Sequence, residues 1–410
     1  MDKDLRAQLD WVASQADAMI SLTERWAAIN SGSYNIIGLR RMRVELEEAF
    51  APLQGTVEIV PLAPLTQINA QGAACEVPMV EALRITKRPQ APIQVLLVGH
   101  MDTVYGIDHP FQTSKRLDAN TLNGPGVADL KGGLTVMLHA LMALERSPWA
   151  KNLGWQVLLN PDEEIGSISS DPLLKEAAKG KLLGLVYEPA QADGSLAGVR
   201  KGSGNFTLVV RGKAAHAGRN PEEGRNAIAA LAELTQAVFA LNGKREGVTL
   251  NPGKIEGGGA LNVVPDLAIL RFNIRTRVVE NEAWVMGELH KLVENLSNKD
   301  GYKAELHGHF TRKPKPMAPA VQAVFDLVQQ CGKELGLTIG TKPSGGCCDG
   351  NNLWHHGLAN VDTLGVRGAH IHSEKEVAYL DSFAERAQLS ALLLMKLAKG
   401  DAALPLESKA

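Results

Sequence analysis

The residues of this chain best suited to chemistry are histidines and carboxylates placed where apolar runs stop. His100 and Asp102 close the run Gln94-Val-Leu-Leu-Val-Gly-His-Met-Asp, and Asp129 lies in the glycine-rich Gly124-Pro-Gly-Val-Ala-Asp-Leu-Lys-Gly-Gly133. Glu163 and Glu164 follow Trp155 to Leu159, Glu188 follows Leu182 to Tyr187, and His372 comes late, in Ile-His-Ser-Glu. Mixed imidazole and carboxylate ligands without thiolate suit zinc, or manganese and cobalt, in a catalytic rather than a structural site. Two neighbouring metals need a bridging carboxylate, hydrolysis needs a general base beside the attacking water, and adjacent acids such as Glu163 and Glu164 can divide those tasks. Asp102, two residues beyond His100, can hold the imidazole in one tautomer. Each residue also has a plainer reading. His100 is then a hydrogen-bonded histidine at a sheet edge, Asp129 a helix cap, Glu163 and Glu164 a solvated turn, Glu188 a surface acid and His372 one of 11 histidines. What favours the metal is that all of these segments end where one sheet edge would gather them.

The elements that must position them follow from periodicity. Gln94 to Val98, Trp155 to Leu159 and Leu182 to Tyr187 have the length and apolar continuity of strands buried on both faces, and Thr56 to Val60 is a further strand. Leu134 to Leu144 reads as a buried helix that the loop carrying Asp129 enters at its N-terminus. Leu5 to Ala28 and Ile36 to Phe50 carry apolar residues at three- and four-residue spacing, as do Ala320 to Leu335 and Ser382 to Ala398, so helices cover the sheet. This alternation predicts an α/β fold with a mainly parallel sheet. From about Lys201 the texture changes to strand (Asn205 to Arg211), helix (Asn226 to Leu241), strand (Asp266 to Arg275), helix (Ala283 to Leu296) and strand (Lys303 to His307), an inserted α+β unit. The predicted division is 1–200 and 311–410 for the main domain and 201–310 for the insertion.

Composition sets outer limits. The chain has 410 residues, 45% hydrophobic and 21% charged, which is ordinary for a globular protein and long enough for two or three domains. Forty-three Lys and Arg against 45 Asp and Glu leave a formal charge of −2, so no global basic field points to nucleic acid or an anionic membrane. No stretch reaches the roughly 20 apolar residues of a membrane span. Cys75, Cys331, Cys347 and Cys348 form neither a disulfide framework nor a CxxC site, and the pair Cys347-Cys348 reads as small apolar residues in the turn Ser344-Gly-Gly-Cys-Cys-Asp-Gly350. The N-terminus lacks a signal-peptide pattern, so the expected location is cytoplasmic.

Five pieces occur in order across nearly the whole chain: Gly-His-Met-Asp-Thr-Val, Gly-Pro-Gly-Val-Ala-Asp-Leu-Lys-Gly-Gly, Pro-Asp-Glu-Glu-Ile-Gly-Ser, Tyr-Glu-Pro and Ile-His-Ser-Glu. In this order they resemble the M20 metallopeptidase family, nearest its glutamate carboxypeptidase branch. The resemblance implies a zinc-exopeptidase-like sheet covered by helices, with an inserted lid or dimerisation domain. It implies two zinc ions per subunit, Co2+ or Mn2+ being possible substitutes: one on His100 and Glu188, the other on Glu164 and His372, with Asp129 bridging both. Glu163 is then the general base and Asp102 orients His100, and the peptide bond after Asp129 is expected to be cis.

Within the insertion, Lys213-Ala-Ala-His-Ala-Gly218, Gly259-Ala-Leu-Asn-Val-Val-Pro265 and Phe272-Asn-Ile-Arg275 also match. By resemblance, His216 reaches the partner subunit's site to stabilise an oxyanion, and Asn262 and Arg275 hold a substrate carboxylate. Lys201 and Arg312, at the joints of the insertion, are further candidate substrate contacts. The loop at Ser344 departs from the family in carrying cysteines where small hydroxyl or acidic residues are frequent. The resulting expectation is a homodimeric hydrolase that cleaves an amide beside a free carboxylate, releasing C-terminal glutamate or a similar amino acid from a small peptide or conjugate. An N-acyl amino acid deacylase is the alternative within hydrolases, and a non-catalytic metal-binding or assembly protein on the same fold the alternative outside them.

Overall fold

The protein is described by a computed structural model covering residues 1–402 and 404. Its larger sheet has six strands in the order Thr56–Val60, Ala82–Lys87, Leu153–Asn160, Ile93–His100, Leu183–Val186 and Asn360–Val361. The strand ending at His100 lies parallel to both neighbours, with Val98 opposite Leu158 on one side and Val186 on the other. Three of the five pairings are parallel, as the sequence pattern suggested, and Ala82–Lys87 adds an antiparallel step on each side, to Leu153–Asn160 and to Thr56–Val60. Val95, Leu96, Leu97 and Val98 are all fully buried, which is why the run shows no polar alternation.

Helices cover both faces. Lys3–Ser14, Ala16–Ala27, Lys131–Arg146 and Ser382–Lys399 pack with Val95 and Leu97 in one cluster, while Asp171–Ala178 and Asp349–His355 join Leu96 and Val98 on the other side. The first helical stretch is broken at Gln15 into two helices.

Residues Gly202–Arg211, Val248–Gly257, Leu267–Thr276 and Lys303–Arg312 build a separate antiparallel sheet of four strands, backed by helices Ala227–Phe239 and Glu280–Ser297 around its own core. The strand Val248–Gly257 was not apparent in the sequence because Pro252 and Gly253 interrupt it. It is an edge strand with an irregularity between Pro252 and Lys254, a place where a residue without an N–H is tolerated. A hairpin from the first part of the chain, Leu65–Ile68 with Ala74–Val77, packs Ile68 against Val209 and Ile269 of this sheet.

The chain crosses between the two units at Arg200 and Lys315, which pair through both backbone N–H···O bonds at 3.0 Å. Their cationic side chains converge on buried Asp362, at 2.9 and 2.6 Å respectively. Removing that carboxylate would leave two buried cations uncompensated, so the crossing point is electrostatically fixed.

Candidate metal centre

The carboxyl edge of the larger sheet collects the chemistry-bearing side chains. His100 ends its strand, Glu163 and Glu164 lie in the turn after Leu153–Asn160, and Glu188 stands two residues past Leu183–Val186. Asp129 sits just before helix Lys131–Arg146, and its peptide bond to Leu130 is cis. His372 comes from the loop between Gly368–Ala369 and Val377–Tyr379, with a φ of 63° that non-glycine residues adopt rarely.

Asp129 is shared. Its Oδ1 lies 3.1 Å from His100 Nε2, and its Oδ2 lies 3.2 Å from His372 Nε2. His100 Nε2 is also 3.7 Å from Glu188 Oε1, and His372 Nε2 is 3.1 Å from Glu164 Oε2. Two ligand sets thus form around a central carboxylate, one with His100 and Glu188, the other with His372 and Glu164. Ligand atoms of His100, Asp129 and Glu164, and of His100, Glu163 and Glu188, fall within 4.8 Å of one another.

The electrostatics fit cations. Burial, with the charge of Asp129 nearby, pushes Glu164 up to about 8, and burial raises Glu163 to about 7 despite Arg312 beside it. Glu188 is raised well above the usual carboxylate range by burial and by Asp129, and its buried Oε1 has no hydrogen-bond partner. Hydrogen bonds to Asp129 and Glu164 lift His372 to about 11, and those to Asp102 and Asp129 outweigh burial to raise His100. Burial alone would raise Asp129, yet the two histidines hold it below its ordinary value. The upward shifts of both histidines and of these acids mark a cluster that favours added positive charge, which divalent cations would supply, and an orphaned buried carboxylate oxygen is a free ligand atom. The residues present therefore fit a metal pair.

Asp102 is fully enclosed and touches three segments. Its backbone oxygen lies 3.0 Å from His100 Nδ1, with Oδ1 at 3.3 Å from the same nitrogen. The carboxylate also accepts the N–H groups of Glu163 at 3.2 Å and Glu164 at 3.1 Å, and the hydroxyl of Ser33 at 2.7 Å. It thus sets the imidazole and the acidic turn together.

Arg312 is 3% exposed. Its Nη2 donates to Glu163 Oε1 at 2.7 Å and to the Glu163 carbonyl at 2.9 Å, while Nη1 donates to Asp349 at 3.0 Å and Asn352 at 2.6 Å. The guanidinium stands behind the candidate base with its fork engaged, whereas a hinge cation was expected to face an entering substrate. Lys201 is half-buried, and its carbonyl accepts from Asn351 at 3.0 Å. Arg275 reaches out of the smaller sheet, donating to Asn273 at 2.8 Å and touching Cys347 Sγ at 3.0 Å.

His216 and Asn262 are not gathered into this cluster. Both are exposed and lie in adjoining loops of the smaller unit, where Ala217 N donates to the Asn262 carbonyl at 2.9 Å and Gly218 N donates to His216 Nδ1 at 3.1 Å. Among the described residues, no hydrogen bond or ion pair ties either side chain to the metal-binding groups.

One buried acid escaped the sequence reading. Glu376, 1% exposed, accepts the N–H groups of Ala128 at 3.0 Å and Asp129 at 3.1 Å through one oxygen, and Gly126 N at 3.2 Å and the Tyr105 hydroxyl at 2.8 Å through the other. It stitches the Asp129 loop to the segment carrying His372. Its signal in the sequence is only an acid four residues beyond that histidine.

Comparison with known proteins identifies the family. Residues 96–396 match the model of peptidase family M20/M25/M40. Carboxypeptidase G2 of Pseudomonas sp. is 31% identical over 312 residues, covering 75% of this chain and 74% of the relative. A succinyl-diaminopimelate desuccinylase of Psychrobacter arcticus is 27% identical over 349 residues, covering 80% and 83%. Among solved structures, a tripeptidase of Staphylococcus aureus superposes with a TM-score of 0.73 at 23% identity, over 94% of this chain and 99% of that one, which speaks to the fold. The chain is a hydrolytic enzyme and belongs to peptidase family M20/M25/M40.

Proposed function

We propose that the protein binds two zinc ions per subunit and hydrolyses an amide bond beside a free carboxylate, as a carboxypeptidase that releases C-terminal glutamate or a similar amino acid. The observation that carries this reading is the sharing of Asp129 between His100 and His372, one oxygen to each. The similarity to carboxypeptidase G2 supports the choice of substrate class. Removal of an N-acyl group from an amino acid is the second reading, favoured by the similarity to a desuccinylase.

Bound zinc would act as a Lewis acid on the scissile carbonyl and lower the pKa of the attacking water. His100 and Glu188 would hold one ion, His372 and Glu164 the other, and Asp129 both. Glu163 accepts the proton of that water and delivers it to the leaving amine, so amide and water become acid and amine with no net proton change. Arg312 fixes the Glu163 side chain from behind through the 2.7 Å bond to Oε1. Arg275 presents a planar fork suited to the substrate carboxylate.

His216, exposed and not bonded to its own chain's cluster among the described residues, serves the site of the partner subunit, and Asn262 acts with it. This requires a homodimer joined through the insertion, residues 201–310. The four cysteines, all unpaired, suit a reducing cytoplasm. The test is a panel of glutamyl conjugates, short peptides and N-acyl amino acids on zinc-loaded protein. Hydrolysis of none of them, together with less than one zinc per chain, would overturn the reading in favour of a non-catalytic protein.

A further inference from the structure

The metal-binding cluster has two unlike flanks. On the side of Glu163 and Glu188 the neighbours are cationic: Arg312 is bonded to Glu163, and Arg275 reaches the adjoining loop at Cys347, two residues before Asp349, the other carboxylate that Arg312 holds. On the side of Glu164 a cleft of about 570 Å³ opens directly beside that ligand. Its walls come from Tyr34, Val104, Ile107 and Ile165, and three of these are well exposed, at 57%, 41% and 64% for Tyr34, Val104 and Ile107. Among the described residues, the ionisable lining consists of Glu164, Asp108, His109 and the Tyr34 phenol, without a lysine or arginine.

Building on the proposed amide hydrolysis, we propose that this cleft is the acyl subsite and that it selects a neutral, apolar acyl group, aromatic or long aliphatic, against an anionic one. An amide substrate places its scissile carbonyl at the metals, so its two halves must lie on opposite flanks. The amino acid half carries a carboxylate and goes to the flank with the Arg275 guanidinium, Arg312 being fully engaged behind Glu163. The acyl half is left with the cleft beside Glu164. A terminal carboxylate there would lose hydration and face Glu164 and Asp108, while Arg271, whose charge reaches Tyr34, is already paired with Glu256 at 2.6 Å, a cost that disfavours it. An apolar group instead covers Tyr34, Val104 and Ile107, removing from water side chains that are otherwise exposed in a concave site. The volume admits a ring system or a chain of several carbons.

The experiment holds the amino acid constant and varies the acyl group: N-benzoyl-, N-hexanoyl- and N-succinyl-glutamate, with alanyl-glutamate as a substrate bearing a free amine, on zinc-loaded full-length protein. The expected result is a kcat/KM for the benzoyl and hexanoyl compounds at least about 10-fold above the other two. Ile107→Lys is expected to move the benzoyl-to-succinyl ratio by about 10-fold toward succinyl, and Ile107→Gln to leave that ratio nearly where it was. Ile107 is 64% exposed, so neither variant threatens folding. Succinyl at parity, an unmoved ratio in Ile107→Lys, or a 10-fold preference for alanyl-glutamate would each overturn the assignment. Hydrolysis of none of the four would overturn the choice of glutamate as the released amino acid. In that case calorimetric binding of benzoate against succinate to the zinc-loaded protein decides the cleft separately, benzoate winning if it is an apolar acid subsite.

Discussion

The carboxyl edge of the larger sheet and the exposed loops of the smaller one were both expected to serve one reaction, and they differ in completeness. At the sheet edge, His100, Asp129, Glu188, Glu164 and His372 already lie within reach of each other and hold one another's protons. In the smaller unit, His216 and Asn262 are exposed, and among the described residues their hydrogen bonds stay within their two adjoining loops. On the proposed roles, one chain would carry the whole metal-binding set but only part of the catalytic one. Metal binding should therefore survive changes in the smaller unit, while turnover should not.

The largest effect is expected where the two requirements meet. Glu163→Ala should lower kcat by about 10³- to 10⁴-fold, the range of a lost general base, with zinc content unchanged by elemental analysis. Near-normal activity would remove Glu163 from the role of base. It would also leave Arg312 guarding a residue that does no chemistry.

Next comes the test of the outward-facing loops. His216→Ala should cost about 10²- to 10³-fold in kcat, as loss of an oxyanion donor does, and bind two zinc ions as before. Mixing it with Glu163→Ala should restore activity, because a mixed dimer carries one site with an intact base and an intact donor from the other chain. Absence of restoration, or a fully active monomer by light scattering, would bring the two regions back into one subunit.

How much of this was legible in the sequence follows from which contacts are local. The strand to His100, the acidic turn and Tyr187-Glu188-Pro189 were readable because each pairs an apolar run with a polar stop, and their convergence follows from strand order. The strand Val248–Gly257 was not, since Pro252 imitates a break and only its edge position accommodates it. Nor was the setting of Arg312, whose partners Glu163 and Asn352 are separated from it by 149 and 40 residues. Glu376 was hidden for the same reason, its bonds to Ala128 and Asp129 spanning 248 and 247 residues. Hinge cations are usually solvent-exposed, so composition alone favours the wrong side of the protein surface for Arg312.

Glu376 offers a way to sharpen the comparison within the metal-binding half. Glu376→Ala leaves three N–H groups of the Asp129 loop without their acceptor, so the loop should loosen and zinc affinity fall about 10- to 100-fold. Glu376→Gln keeps two acceptor lone pairs on one oxygen and should fall between the variant and the parent. Saturating zinc should return most of the kcat of both, which a competitive chelator titration followed by rate measurement would check. A drop in kcat that zinc does not correct would give Glu376 a part in the chemistry as well.

The smallest effect concerns protons. His372 titrates near 11, and His100 is likewise raised, because Asp129 and Glu164 or Asp102 stabilise their charged forms. Groups with raised pKa are protonated at neutral pH, and a metal can bind only the deprotonated nitrogen, so zinc must expel what they hold. Glu164, near 8, adds a fractional proton. With Glu188 also raised well above the usual carboxylate range, zinc binding at pH 7.5 should release more than two protons and up to about four per chain, visible as a dependence of calorimetric enthalpy on buffer ionisation heat. Affinity should weaken as pH falls, since each proton regained competes with the metal. The same titration on His216→Ala should give the same proton count, because that histidine stands outside the cluster. A count that changes with His216 would mean that the loop histidine is coupled to the metal centre even without a substrate.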